Sequence, residues 1–567
     1  MPMELEALIA ALSRPEAYPG HEALGYGAEV EVVQTHISVV FLVGREVFKI
    51  HKPVDFGFLD FTSLEARLRD CEAEVAINQE LAPGVYRGVV AIVEREGQLV
   101  VERERDAVDA SEVIEWGVWM RRLPESATFH ALLERGELSR PQLWQLAATL
   151  VGFYRAGAEH AAANPELARL GDLDTVVENM RENFAQLDSI VDAAREFRQL
   201  EPIDRDLLTR LRLSTEAELA RVRGLIHARF EAGEIRDTHG DLRLDHIYCL
   251  GCATGEDAEL VDEELLEATG RRELLIIDRI EFTERFRWSD PIADVAFLIM
   301  DLQARGAWQL ARCFADDFIS ASEDPQVEKL LPFYLGYRAT VRAKVAAMAA
   351  SEPELSARAR AEACAKAEAR ARLALVELSV PRERPCLLLV AGLPGTGKSV
   401  LARGLRETSG FAWIRADEIR KRLAGLDPLA DGHEDIDAGI YTKEWSDRTY
   451  TACLERAGDV CKAGGRALVD ATFVRGERRR AFVEAAIAWG VPVHLLVVHA
   501  PPELVRERLA ARSGDPSDAD WQVYLALREQ WTPVDPLLCR HSQVDASGTP
   551  RDMLNEALRA LAEVGLA

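Results

Sequence analysis

Residues 392–399 read GLPGTGKS, the spacing G-x-x-x-x-G-K-S, and follow directly on the apolar run Cys386–Ala391. These residue types suit a polyphosphate. Gly392, Gly395 and Gly397, with Thr396 in the same loop, let backbone N–H groups curl round phosphate oxygens, and a helix beginning there adds positive potential. Lys398 would reach the terminal phosphates, and Ser399 would place its hydroxyl on Mg²⁺. The flanks give the motif its context. Leu387–Val390 reads as a buried strand, and Val400, Leu401 and Leu405 as one face of a helix ending near Gly410. A nucleotide site, with ATP and Mg²⁺ as the expected cofactors, therefore falls in the last third of the chain.

A second set of polar residues lies far upstream: THGDLRLDH at 238–246, LLIID at 274–278, WSDPIAD at 288–294 and VFKI at 47–50. Phosphoryl transfer needs a hydroxyl held in line beside a carboxylate, with cations neutralising the transferred group. Asp241, Asp278 and Lys49 are of the types those roles require. Lys49 sits mid-strand among apolar neighbours, where a lysine is costly unless paired; the alternative is the exposed face of an alternating strand. Cys249 and Cys252, just after His246, have the spacing of half a zinc site, but no second CxxC completes it.

Three regions must position these residues. Over 27–120 the runs Val30–Gln34, Ser38–Val43, Glu46–Ile50, Gly88–Val93 and Gln98–Glu102 alternate apolar and polar, interrupted by a helical stretch Leu64–Leu81. That pattern predicts a mostly antiparallel sheet with one helix. From Ala127 to about Val376 the spacing is helical, with a strand-loop-strand insert at 235–282, and Glu354–Leu373 reads as a polar closing helix. The PRERP segment at 381–385 marks a boundary, giving expected domains 1–380 and 381–567. Beyond it, candidate strands at 386–391, 411–415, 466–470 and 493–499, with a weaker one at 542–546, alternate with helices. This is the pattern of an α/β doubly wound parallel sheet.

The upstream segments resemble the aminoglycoside phosphotransferase-like (protein-kinase-like) family, with its H-G-D-x-x-x-x-N loop, I-D metal aspartate and D-P-x-x-D segment. The resemblance spans roughly 20–375 and implies an α+β kinase-like domain of two lobes. By it, Asp241 would accept the substrate proton and Asp278 would hold Mg²⁺. His239 would buttress the loop, Asp290 and Asp294 would tie it down, and Arg243 would stand where protein kinases place a phosphate-contacting lysine. Lys49 would meet the nucleotide phosphates and a helix glutamate, Glu74 in preference to Glu72. The segment 119–124 (WMRRLP), with Arg121 and Arg122, matches the interlobe hinge. Two departures stand out: Gln34–Ser38 replaces the Gly-rich loop, and His246 replaces the asparagine that is the second Mg²⁺ ligand. Mg²⁺ prefers oxygen, so either Asp245 substitutes, or one metal is held loosely, or the domain binds nucleotide without efficient transfer.

Residues 386–567 resemble small P-loop kinases such as gluconate kinase, polynucleotide kinase and the zeta-toxin-like enzymes. That match makes Asp417, after the second strand, the general base facing the acceptor hydroxyl, with Arg420 beside it; a plain helix cap is the competing role. Asp470 would be a Walker-B-like carboxylate holding Mg²⁺, with Arg475 and Arg479 on the next turn. The segment 501–512 and the loop after it resemble a lid, with Arg508 and Arg512 four apart on one helical face to clamp phosphates. The whole chain resembles bacterial fusions of the two kinds of domain.

Composition narrows the partners. The 567 residues are 48% hydrophobic and 29% charged, ordinary globular usage for more than one domain. With 68 Lys+Arg against 95 Asp+Glu the formal charge is −27, which disfavours a large nucleic-acid footprint. The segment RGERRR at 475–480 is the one local basic candidate, with a solvated helix start as its alternative. No apolar run is long enough to span a bilayer, the strongest being Val295–Met300, and nothing resembles a signal peptide. The expectation is a cytoplasmic protein with free thiols, acting on a hydroxyl of a small molecule. Two rivals remain: a nucleotide-sensing, non-catalytic N-terminal domain, and a nucleic-acid 5′-hydroxyl kinase.

Overall fold

A computed structural model of the chain describes residues 4–20, 29–55, 59–352, 355–427, 440, 442–511, 519–535 and 539–567. The chain divides into two units, each drawn from more than one stretch of sequence. One comprises Met1–Val176, Leu225–Asp301 and Arg312–Pro325; the other Val177–Gly224, Leu302–Ala311 and Gln326–Ala567. Among the described residues no helix is long and apolar enough to cross a membrane.

The first unit is built on a six-stranded antiparallel sheet. Its spatial order is Glu31–Gln34, Ser38–Val43, Glu46–His51, Val113–Arg121, Tyr86–Arg95 and Gln98–Glu102. Both faces are covered. Val39, Phe41, Phe48, Ile50, Val90 and Ile92 pack with Leu8, Leu12 and Tyr18 on one side. Ala91, Val93, Trp116 and Val118 pack with Cys71, Tyr248 and Leu275 on the other. Burial on two faces erases the alternation that marks a half-exposed strand. For that reason Val113–Arg121, with Glu115 and Gly117 in it, has no strand signature in the sequence although it lies between two central strands. The segment expected as a hinge is the end of this strand. Arg121 donates to Asp262 at 2.7 Å, and Arg122 to Glu31 at 3.3 Å.

The helix Leu64–Asn78 crosses this sheet, started by Ser63, whose hydroxyl accepts from the Ala66 N–H at 3.1 Å. It carries Arg67, Asp70 and Glu74 inward, all buried. Arg67 Nε lies 2.9 and 3.0 Å from the two Glu115 carboxylate oxygens and its Nη2 2.8 Å from Oε2, which fastens helix to sheet.

The second unit holds a five-stranded, all-parallel sheet in the order Ala412–Arg415, Arg466–Asp470, Cys386–Ala391, Val493–His499, His541–Asp545. Alternate residues of Cys386–Ala391 enter two different cores, Leu387, Leu389 and Ala391 on one face and Cys386, Leu388 and Val390 on the other. A continuous apolar run is the sequence mark of such a strand. The tract read as a polar helix forms Ala357–Leu378, but Cys364, Ala367, Ala371 and Leu373 are buried in it. The neighbouring helix Val327–Ala350 approaches it closely at Gly336, where a Cβ would lie 2.5 Å from the Leu378 side chain. One expectation is corrected outright. Cys249 and Cys252 are joined in a disulfide rather than being free thiols.

Removing one partner of a buried ion pair strands the other charge. Glu115→Ala should lower unfolding free energy by roughly 3 kcal/mol, read by urea denaturation, and Glu115→Ala with Arg67→Met should recover part of the loss.

Candidate functional site

In the second unit the loop 392–397 joins the central strand to the helix Lys398–Ser409. Gly392 has φ 148°, and a Cβ there would sit 2.4 Å from the Val498 carbonyl oxygen. Gly397, at φ 102°, is the left-handed residue immediately before the helix. The helix starts directly behind it, the N–H groups of Val400 and Leu401 both donating to the Gly397 carbonyl at 3.1 Å. Thr396 Oγ1 and Lys398 Nζ both donate to the Leu393 carbonyl, at 2.8 and 2.9 Å. Ser399 Oγ donates to Asp470 Oδ2 at 2.7 Å, and Arg415 Nε lies 4.0 Å from that oxygen.

Asp470 ends a fully buried strand. Burial raises its carboxyl above the ordinary range, and Asp417 adds to this, while Lys398, the Ser399 bond and Arg415 work against it. Asp417, half-buried, lies in the first turn of the helix Ala416–Leu423. Arg508 donates through Nη2 to the Ala546 carbonyl at 2.7 Å. Its Nη1 is buried, finds no acceptor among the described residues, and lies 3.8 Å from where a Cβ on Gly397 would stand. A buried guanidinium nitrogen without an acceptor beside a glycine loop fits a phosphate oxygen. Arg512 and the loop after it lie outside the described residues.

Three other arginines have protein partners. Arg420 donates to the Ile440 carbonyl at 2.9 Å and to Ser446 Oγ at 3.2 Å. Arg479 is 1% exposed and donates to the carbonyls of Phe473, Thr532 and Pro533. Arg478 pairs with Asp447 at 3.1 Å. The basic run 475–480 is therefore partly interior, and its spacing gave no hint of this.

In the first unit Lys49 lies on a strand buried at all six positions, and its Nζ donates to Glu74 Oε1 at 2.9 Å. Glu72 instead pairs with Arg105. Asp278 Oδ1 and Glu281 Oε1 lie 3.8 and 3.9 Å from Lys49 Nζ. Burial alone would favour losing the Lys49 proton, but Glu74, Glu281 and Asp278 outweigh it and keep the ammonium charged. Asp278 has φ 65°, unusual for a residue with a Cβ, and its N–H donates to Tyr86 Oη at 3.1 Å. Such outliers cost on the order of 1–3 kcal/mol and cluster at functional sites.

Asp294 shapes the loop that carries Asp241. Its two oxygens accept from the N–H groups of His239 and Gly240, both at 2.9 Å, and Tyr154 Oη donates to it at 2.8 Å. Asp290 receives Arg229. His239 Nε2 donates to the Ile277 carbonyl at 2.8 Å, and burial lowers its pKa to about 4, so the ring is neutral. Arg243 does not stand free. Its Nε lies 2.9 Å from Asp241 Oδ2, its Nη1 3.4 Å from Asp245 Oδ2, and its Nη2 2.7 Å from His246 Nε2. A guanidinium only donates, so His246 Nε2 accepts, and His246 Nδ1 donates to the Asp241 carbonyl at 3.0 Å. Asp278 Oδ2 lies 3.3 Å from the same Nε2.

The sequence reading missed the residues behind Lys49. His51 and Asp70 are buried, their atoms Nε2 and Oδ2 3.1 Å apart, and Glu281 lies alongside. Burial first, then Glu74, pushes Asp70 up to about 7, and burial also raises Glu281 well above the ordinary carboxyl range. The available signal for Glu281 was a third charged residue, after Asp278 and Arg279, between the apolar neighbours Ile280 and Phe282 in LLIIDRIEF.

Parallel strand order, glycine loop and the Ser399–Asp470 contact make residues 386–567 a P-loop nucleotide-binding domain. Residues 387–534 match a family model described as an AAA domain. An uncharacterized protein from Mycobacterium tuberculosis (strain ATCC 25618 / H37Rv) is 28% identical over 509 residues, covering 88% of this chain and 89% of that protein. One from Mycobacterium bovis (strain ATCC BAA-935 / AF2122/97) is similar to the same degree, at 28% over 509 residues. Among solved structures, a gluconokinase from Sinorhizobium meliloti 1021 is 22% identical, covers 32% of this chain and 94% of its own, and has a TM-score of 0.24. An unliganded sugar kinase from Janibacter sp. HTCC2649 is 20% identical, covers 31% of this chain and 94% of its own, and has a TM-score of 0.26.

The raised pKa of Asp470 carries a sign. A carboxyl raised in the fold above its unfolded value destabilises when ionised, and the penalty fades as pH falls through the folded-state pKa. Asp470→Asn should therefore raise the Tm of the nucleotide-free protein at pH 7–8, with the gain shrinking on acidification; thermal unfolding across pH reads it.

Proposed function

We propose that the chain is an ATP- and Mg²⁺-dependent phosphotransferase acting on a hydroxyl of a small polar metabolite or sugar. In this reading residues 381–567 form the principal kinase and residues 1–380 a second, kinase-like phosphate-handling domain. The observation that carries the reading is the buried Arg508 Nη1, which has no acceptor among the described residues and lies beside the phosphate loop. Lys398 and Arg508 would hold the ATP phosphates, and Ser399 with Asp470 would hold Mg²⁺, which supplies positive charge to the β- and γ-oxygens. Asp417 would take the proton of the acceptor hydroxyl as its oxygen bonds to the γ-phosphorus and the bond to the ADP oxygen breaks.

An ATP-dependent screen over sugars, aminoglycosides, nucleosides and oligonucleotides tests it. Lys398→Ala should lose phosphorylation by about 100-fold or more, and Asp417→Asn should lower kcat roughly 10²–10⁴-fold with little change in the KM for ATP. Undiminished phosphorylation by Lys398→Ala would overturn the assignment. A 5′-hydroxyl kinase of nucleic acid is disfavoured because Arg479 of the basic run is interior.

One observation favours a second reading for residues 1–380. Arg243 already occupies the Asp241 carboxylate at 2.9 Å, as suits a domain that binds nucleotide and regulates rather than transfers. In a Lys398→Ala background, residual ATP turnover that disappears on adding Asp241→Asn would establish catalysis there. Nucleotide binding without turnover would establish sensing.

A further inference from the structure

Behind the Lys49–Glu74 pair lies a pocket of polar atoms that the phosphate chemistry does not use. His51, Asp70 and Glu74 are 0%, 7% and 1% exposed. His51 Nε2, Asp70 Oδ2 and Glu74 Oε2 are all buried and make no well-directed hydrogen bond among the described residues. The same three atoms converge: Nε2 lies 3.1 Å from Asp70 Oδ2 and 3.9 Å from Glu74 Oε2, and all lie within 4.8 Å of one another. Ligand atoms around an ion bonded at about 2.0–2.2 Å stand ~3.3 Å apart, so only a small contraction is needed.

The surroundings suit a cation. The His51 ring is oriented by its other nitrogen, Nδ1, which lies 3.3 Å from the buried Ser38 Oγ, the outer-shell contact that commonly aims a ligating imidazole. Asp70, Glu74 and Glu281 bring three carboxylates into one interior where Lys49 is the cation in direct contact, and the nearby Arg67 is already taken up by Glu115. Buried carboxylates need partners, cations or protons.

We propose that His51, Asp70 and Glu74 bind a divalent transition-metal ion, of the zinc or manganese class, in the interior of the first unit. One imidazole nitrogen and two carboxylate oxygens form a donor set for such ions rather than for Mg²⁺. Glu74 would then have two tasks, Oε1 receiving Lys49 and Oε2 the ion, so the metal would fix the lysine partner in place. The site stands whether or not the chain transfers phosphate, and it is separate from any nucleotide-borne Mg²⁺.

The test is metal analysis of the full-length protein, purified without nucleotide and dialysed against metal-free buffer. Wild type should retain about one zinc, manganese or iron per chain by plasma mass spectrometry. His51→Gln and Asp70→Asn should each lose it at least 10-fold, and Lys398→Ala should keep it. After chelation, adding Zn²⁺ or Mn²⁺ should raise the Tm of wild type and not that of Asp70→Asn. Metal-free wild type whose Tm ignores added Zn²⁺ and Mn²⁺ would overturn the site and leave the carboxylates sharing protons. So would metal retained undiminished by both folded variants. If neither variant folds, X-ray absorption on the wild-type metal decides: a nitrogen and oxygen shell containing imidazole supports the site, and a sulfur shell overturns it.

Discussion

The contact between Ser399 Oγ and Asp470 Oδ2, at 2.7 Å, is the point on which the nucleotide domain turns. It joins the helix behind the glycine loop to the end of a strand buried at every position. Both groups can reach each other only because the two strands run parallel and side by side, with Val390 opposite Asp470 in register. A carboxylate at that depth is disfavoured unless cations face it. Lys398 and Arg415 supply part of that charge, and a phosphate-bound metal would supply the rest. The domain thus holds a carboxylate that burial disfavours and that a further facing cation would relieve, a common trade of stability for function.

The first unit repeats the principle with different parts. Lys49 is placed in a strand with no exposed face, and its charge survives because Glu74, Asp278 and Glu281 surround it. Holding Asp278 there requires a left-handed backbone, braced by Tyr86. Arg243 gathers Asp241, Asp245 and His246 into one network, so the position where the family resemblance expects an asparagine is an imidazole whose Nε2 faces a guanidinium. Electrostatic balance within a low-dielectric interior organises this site more than any single motif does.

Legibility followed the physics of burial. The strands at 386–391, 466–470 and 493–499 were readable because a strand covered on both faces in an α/β layer is a bare apolar run between helical patterns. That Lys49 needs a partner was readable because an apolar strand tolerates a lysine only when it is paired, whereas Glu74 as that partner came from the family resemblance. Val113–Arg121 was not, since Glu115 interrupts it and only Arg67, 48 residues away in sequence, makes that glutamate acceptable inside. The run 475–480 misled for the converse reason. Arg479 looks like surface charge until three backbone carbonyls, two of them more than 50 residues on, are folded around it.

By itself the sequence determined the local chemistry: a glycine loop that must turn sharply into a helix, and the β/α alternation that makes the sheet behind it parallel. Each follows from near-neighbour sterics and periodicity, which one stretch of chain contains. Tertiary structure alone decided which charges are interior and what they face. It brought His51, Asp70, Glu74 and Glu281 together, paired Cys249 with Cys252, set Arg243 against Asp241, and placed Arg508 Nη1 beside the loop with no acceptor among the described residues. Charge interactions in a low-dielectric interior depend on distance and on the exclusion of water, and neither is a property of any single segment.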